Sequence, residues 1–201
     1  MASIAADVRR QTVTVLFVDI VGFTTLIDEL DCADVLAVQR DYFTAVSAVV
    51  REHGGVVEKY VGDAVMAVFG LSSRRPEGGA AAAVGCGLEI QKALSGVRLG
   101  GAHEISTRVG VATGEVMVDL AAARDGGFGM VSGRVVATAA RLQAYAPHDT
   151  VVVDDTTRSL SDRAVAYQEL PPAVLAGRSG PVDLFRALSQ PTRTCVLAHQ
   201  P

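Results

Sequence analysis

The apolar run Val13 to Val18 ends on a carboxylate, Asp19, and leads into Ile20-Val21-Gly22-Phe23-Thr24. Some forty residues later two further apolar segments, Val56 to Val61 and Ala64 to Phe69, flank Gly62-Asp63. The first run reads as an apolar strand that delivers one carboxylate at its end, and the second pair as a β-hairpin with Gly-Asp in its turn. Taken alone, Asp63 is an ordinary turn residue. Asp19 has no such bland account, because an unpaired carboxylate finishing a buried strand is costly. Together the two acids suit Mg²⁺ or Mn²⁺, hard cations held by one or two protein carboxylates while water and substrate phosphates fill the other positions.

The rest of the pattern predicts a mixed α+β chain. Thr12 to Asp19 is the first strand, and Gly22-Phe23-Thr24 opens a short helix whose free backbone N–H groups suit phosphate. Ala33 to Arg51 carries apolar residues at helical spacing and is stopped by His53-Gly54-Gly55. Glu77 to Leu94 is an Ala-rich helix following Pro76. Ile105 to Ala112 and Glu115 to Leu120 read as a further hairpin around Thr113-Gly114, Gly133 to Tyr145 as a helix, and Thr150 to Val153, Ala164 to Glu169 and Val182 to Leu188 as later strands. The order β-α-β-β-α-β is ferredoxin-like, with an additional helix and strands toward the C-terminus. Domain limits of 12–188 follow, with an extension at 1–11 and a linker or tail at 189–201.

Composition narrows the possible partners. A hydrophobic fraction of 49% and a mean hydropathy of +0.31 exclude a disordered chain. A net charge of −4 and a pI near 5.5 give no basic field for nucleic acid or anionic lipid. No run approaches the roughly 20 apolar residues that span a bilayer, and residues 1–11 lack the core of a signal peptide. Cys32, Cys86 and Cys195 are scattered without a Cys-x-x-Cys pair, and His53, His103, His148 and His199 show no metal spacing. The expected location is cytoplasmic.

The segments around Asp19 and Asp63 resemble the Asp-x-x-Gly-Phe-Thr and Lys-Tyr-x-Gly-Asp elements of the class III adenylate/guanylate cyclase catalytic domain. Gly133 to Leu142 resembles that family's Gly-x-x-Val-Asn-x-Ala-x-Arg-Leu helix, and Leu175 to Val182 the Lys-Gly-Arg-x-x-Pro-Val tail of its bacterial members. The likeness runs from about Thr12 to Leu188. It implies ATP, with GTP as the other candidate, cyclised to the 3′,5′-monophosphate with loss of pyrophosphate at a head-to-tail dimer interface. Asp19, Asp63 and the backbone carbonyl of Ile20 match the ligands of two metal ions. Lys59 matches the lysine that reads the base edge, and Arg141 the arginine that meets phosphate. Arg178 matches a basic tail residue near the polyphosphate. Lys59 as a snorkelling strand lysine, Arg141 as a surface helix arginine and Arg178 as a loop arginine are the plain alternatives.

Two positions depart from that pattern. Met130 stands where the family has an Asp or Thr that accepts from adenine, and a thioether is only a weak acceptor. Ala137 stands where the family has the Asn that supports the transition state, and a methyl group donates nothing. A slow phosphorus–oxygen lyase is one reading. Others are a nucleotide-binding or dimerising regulatory module without turnover, and the metal-bearing half of a heterodimer with another cyclase domain. A diguanylate-cyclase or polymerase-palm relative shares the strand order but would need a Gly-Gly-Asp/Glu-Glu-Phe hairpin, which this chain lacks. The small-residue stretch Ala121 to Gly129 falls where the family carries its dimer arm.

Overall fold

The computed structural model describes residues 8–72, 75–119 and 130–188. The stretch Ala121 to Gly129 and the tail from Ser189 lie outside the described residues.

Strand β1 (Val8–Ile20) is the axis of the fold. Its alternate residues divide between two cores: Leu16, Val18 and Ile20 face one, Val13, Val15 and Phe17 the other. Burial on both sides explains why this strand is a continuous apolar run rather than an alternating one. On one side β1 pairs antiparallel with β3 (Ala64–Phe69), which closes a hairpin with β2 (Val56–Val61). On the other it pairs antiparallel with β6 (Thr107–Asp119) along its whole length, from Val8 opposite Asp119 to Ile20 opposite Thr107. Beyond β6 come β8 (Thr150–Asp154), parallel to it, then β10 (Val182–Leu188) and β9 (Ala166–Ala173) at the edge. A two-residue strand β7 (Val131–Ser132) pairs with the end of β6, and β4 (Arg98–Leu99) forms a small separate ribbon with β5 (His103–Glu104).

Helices cover both faces. The short α1 (Phe23–Glu29) follows β1. Helix α2 (Cys32–Glu52) is capped by Asp31, whose side chain accepts from Ala33 and Asp34 N–H. With α3 (Pro76–Leu94) it buries Val38, Tyr42, Val46, Val84 and Ile90 on the Leu16/Val18 side. Helix α4 (Arg134–Tyr145) buries Val135, Ala139 and Leu142 on the Val15/Phe17 side. The βαββαβ core is therefore present, with sheet order β2-β3-β1-β6 and α4, α5 (Asp155–Ser161), β8, β9 and β10 appended.

One predicted turn is wrong. Thr113-Gly114 is not the corner of a hairpin but the middle of β6, where Gly114 pairs with Val13. Gly114 lies under α4, where a Cβ would sit 3.4 Å from that of Val135, in ordinary contact. The Thr113 hydroxyl is bonded at 2.9 Å to Thr14 and at 2.9 Å to Thr157 of α5, a buried polar chain that needs an extended backbone. β1 also starts four residues before the predicted Thr12, through Arg9, Arg10 and Gln11. Polar side chains hide a strand whose partner is the far end of β6.

Gly110 is the tightest point of the packing. A Cβ on it would collide with the α4 backbone at Ala139 and Gln143. Gly110→Ala is expected to lower stability by about 3 kcal/mol, near the top of the usual overpacking range, and to drop Tm by roughly 6 to 12 °C in thermal melts.

Candidate active site

The β1–β3 register brings the two predicted acids together. Val18 faces Val65, so the turn of the β2–β3 hairpin lies level with the end of β1. Gly62 takes a positive φ of 64° there, a conformation open to glycine at little cost. The Ile20 N–H donates to Asp63 Oδ2 at 3.2 Å, which fixes the second carboxylate beside the first. Asp19 points to the α4 side, where Gln143 Nε2 donates to its Oδ2 at 3.1 Å. Arg108 sits directly opposite Asp19 on β6.

Burial pushes the Asp19 carboxyl up to about 7, and its hydrogen bond and like charge with Asp63 push the same way. The Arg108 charge and the Gln143 hydrogen bond oppose this only in part. The Tyr42 phenol, fully buried on α2 and without a hydrogen-bond partner among the described residues, is also held well above its ordinary value, by burial first and then by the Asp19 and Asp63 charges. Two acids held together with an excess of negative charge form a donor set that a divalent cation relieves. Among the described residues no group of three or more His, Cys, Asp or Glu gathers to hold a metal. The Asp19 and Asp63 carboxylates and the adjoining backbone are the donors this corner could offer a cation, with other coordination positions open to water and substrate oxygens. That suits Mg²⁺ or Mn²⁺ and not a closed structural site.

A pH dependence follows. With Asp19 titrating near 7 in the fold against an ordinary value of 3.8, the metal-free folded state holds a proton that the unfolded chain has lost. Between those values the native state binds more protons, so its stability falls as pH rises toward 7. Melts in EDTA from pH 5 to 8 should show Tm decreasing, with a flatter slope in Asp19→Asn. Cation binding, which requires the carboxylate, should strengthen over the same range.

The other predicted residues fall in different places. Phe23 packs its ring on the α2 side core, and Thr24 is exposed in the first turn of α1. Lys59 lies on β2 with its ammonium 3.2 Å from Glu58. Met130 is 1% exposed, in the core beneath α4 with Val118 and Val131, and its carbonyl accepts the Asp119 N–H at 2.8 Å. Ala137 is exposed on α4 and Arg141, one turn later, is half-buried. The Arg141 guanidinium lies against Gly177, where a Cβ would come within 3.2 Å of Nη2, next to the exposed Arg178. Gln143 is about 200° around the helix from Arg141, so the arginine does not face the acid pair of its own chain.

Sequence reasoning missed Gln143, Arg108, Tyr42 and Glu58. Gln143 left a signal, since it is a polar residue in the stripe formed with Val135, Ala139 and Leu142. Arg108 gains meaning only from its register opposite Asp19.

A sequence model of the adenylate and guanylate cyclase catalytic domain matches residues 6–185. The chain belongs to that family. An uncharacterized protein of Rhizobium meliloti is 33% identical over 182 residues, which cover 90% of this cyclase domain and 18% of that protein. Adenylate cyclase 1 of Rhizobium meliloti is 28% identical over 188 residues, 89% of this chain and 28% of its own. The domain thus spans less than a third of either relative. The crystal structure of the adenylyl cyclase CyaB from P. aeruginosa superimposes with a TM-score of 0.80 at 26% identity, over 92% of this chain and 97% of that one. This is a class III nucleotide cyclase domain. Class III cyclases generally use divalent metals, in keeping with the acid pair. No helix among the described residues is long and apolar enough to cross a membrane.

Proposed function

We propose that this domain converts ATP to 3′,5′-cyclic AMP and pyrophosphate, with two Mg²⁺ or Mn²⁺ ions, at the interface of a head-to-tail dimer in the cytoplasm. The observation that carries this reading is the meeting of Asp19 and Asp63, locked by the Ile20 N–H at 3.2 Å. Bound cations supply charge neutralisation as the ribose 3′-hydroxyl attacks the α-phosphate and pyrophosphate leaves. Asp19 and Asp63 bind them, Ile20 orients Asp63, and Gln143 orients Asp19. Lys59 donates to the base edge and Arg141 to phosphate. The separation of Arg141 from the acid pair of its own chain supports a site shared between two chains, with the acids from one and Lys59 and Arg141 from the other.

Turnover is slow on this reading, because Ala137 gives the transition state nothing and Met130 is buried as an apolar side chain. The same two residues favour a second reading, a regulatory nucleotide-binding module or the metal-bearing half of a heterodimer. The test is cyclic nucleotide formation by the purified chain with Mn²⁺ and ATP or GTP. Cyclic AMP exceeding cyclic GMP is expected. Product appearing only after addition of a cyclase domain whose own metal carboxylates are mutated assigns the heterodimer, and Mn-ATP binding without product in either assay assigns the regulatory module.

A further inference from the structure

Glu58 is a charge in an unexpected place. Its side chain is 0% exposed, and neither carboxylate oxygen receives a hydrogen bond among the described residues. An ionised carboxylate so buried is expensive unless a counter-charge meets it. The Lys59 ammonium does so, 3.2 Å from Oε2, at ion-pair distance though outside hydrogen-bond geometry.

The backbone explains how two consecutive residues can meet. In a regular strand Glu58 and Lys59 would point to opposite faces. Here the β2–β3 ladder shifts register, with Val57 opposite Ala67 and Lys59 opposite Met66, the next residue along, so Glu58 is an extra residue. Ala67 belongs to the core under α2 and Met66 to the core under α4. Tyr60, opposite Val65, returns to the α2 side, its ring 4.7 Å from that of Phe43 and its hydroxyl 2.9 Å from Ser47 Oγ. The bulge therefore sets Glu58 and Lys59 on one side of the strand, as their ion pair requires. Lys59 reaches outward with 28% of its side chain exposed, and Glu58 lies beneath it.

We infer that Glu58 is a positioning residue that anchors the Lys59 ammonium, so that one fixed cationic donor is presented to the edge of the nucleobase. A lysine is otherwise a flexible point charge that must be ordered when it binds. The bulge and the buried acid order it in advance. This inference rests on the cyclase reading, which gives Lys59 the base edge.

The chain contains only two lysines, Lys59 and Lys92, so mass spectrometry after amine acylation reads one against the other. Lys92 is 79% exposed and serves as the reference. In the full chain Lys59 should react more slowly than Lys92, and Glu58→Gln should narrow the gap. Glu58→Gln should also weaken binding of the α,β-methylene analogue of ATP with Mn²⁺ by about tenfold, the order of one charge-assisted contact. Affinity for Mn²⁺ alone should not change. In a Lys59→Met background Glu58→Gln should add no further loss. If Glu58→Gln does not fold, Glu58→Asp, one methylene shorter, is read in the same way. Unchanged labelling or unchanged nucleotide affinity in the folded variant overturns the inference and leaves the cyclase reading standing. Failure of the wild-type chain to bind the analogue defeats both.

Discussion

Asp63→Ala is expected to lower cyclic nucleotide formation at least ~1000-fold, the scale set by losing a main electrostatic support of a phosphoryl-transfer transition state. The effect should be specific to chemistry. Asp63 is a half-buried turn residue that accepts from Ile20 N–H and is hydrogen-bonded to Asp19, and neither bond belongs to the strand ladders, so the sheet remains intact without it. Melting should change little, because the pairing of β1 with β3 and β6 does not involve this side chain. Mn²⁺ binding should weaken together with turnover. The Asp19 carboxyl, freed of its neighbour's charge but still buried, should titrate lower than about 7 and above the ordinary 3.8 of an unfolded chain, which separates this variant from one that merely unfolds. A variant keeping half the wild-type rate would show that these acids do not carry the reaction.

Ala137→Asn should act in the opposite direction, raising kcat roughly 100-fold if one transition-state donor is restored. Position 137 is exposed on α4, one turn before Arg141, so a longer side chain meets no steric barrier within its own chain. The helix-propensity cost of replacing Ala with Asn is under ~1 kcal/mol, which a domain of this size tolerates. The gain should appear in kcat with KM nearly constant, the sign of a contact made in the transition state and not in the ground state. Product formation by Ala137→Asn no faster than wild type, with nucleotide still bound, would favour the regulatory reading.

The elements visible in the sequence are those whose patterns are local. The β2–β3 hairpin was predicted at Val56–Val61 and Ala64–Phe69, and β10 at Val182–Leu188, to the residue, because apolar runs and turn glycines fix them. The acid pair was legible for the same reason. The failures involve distant partners. Thr113-Gly114 has the composition of a turn, and its pairing with β1 and the Thr113 bonds to Thr14 and Thr157 keep it extended. Pro171-Pro172 hid the second half of β9, which tolerates prolines as the last strand of the sheet. Helix α5 was missed although Asp154 caps it by accepting from Thr157 N–H at 2.9 Å, because seven residues carry too little periodicity. The Glu58 bulge breaks alternation by one residue, which a scan for period-2 patterning cannot separate from noise.

The glycines beneath α4 have a consequence for control. Gly110 and Gly114 on β6 are four residues apart, about 13 Å along the strand, and Gly133 ends the track at the helix start, where a Cβ would be 2.9 Å from the Glu115 carbonyl oxygen. At Gly110 the helix is seated backbone to backbone on the strand, which leaves it little slack along its axis. On the shared-site reading proposed above, a regulatory input would then have to change how two whole subunits are brought together, like a clutch engaging, while each keeps its internal geometry.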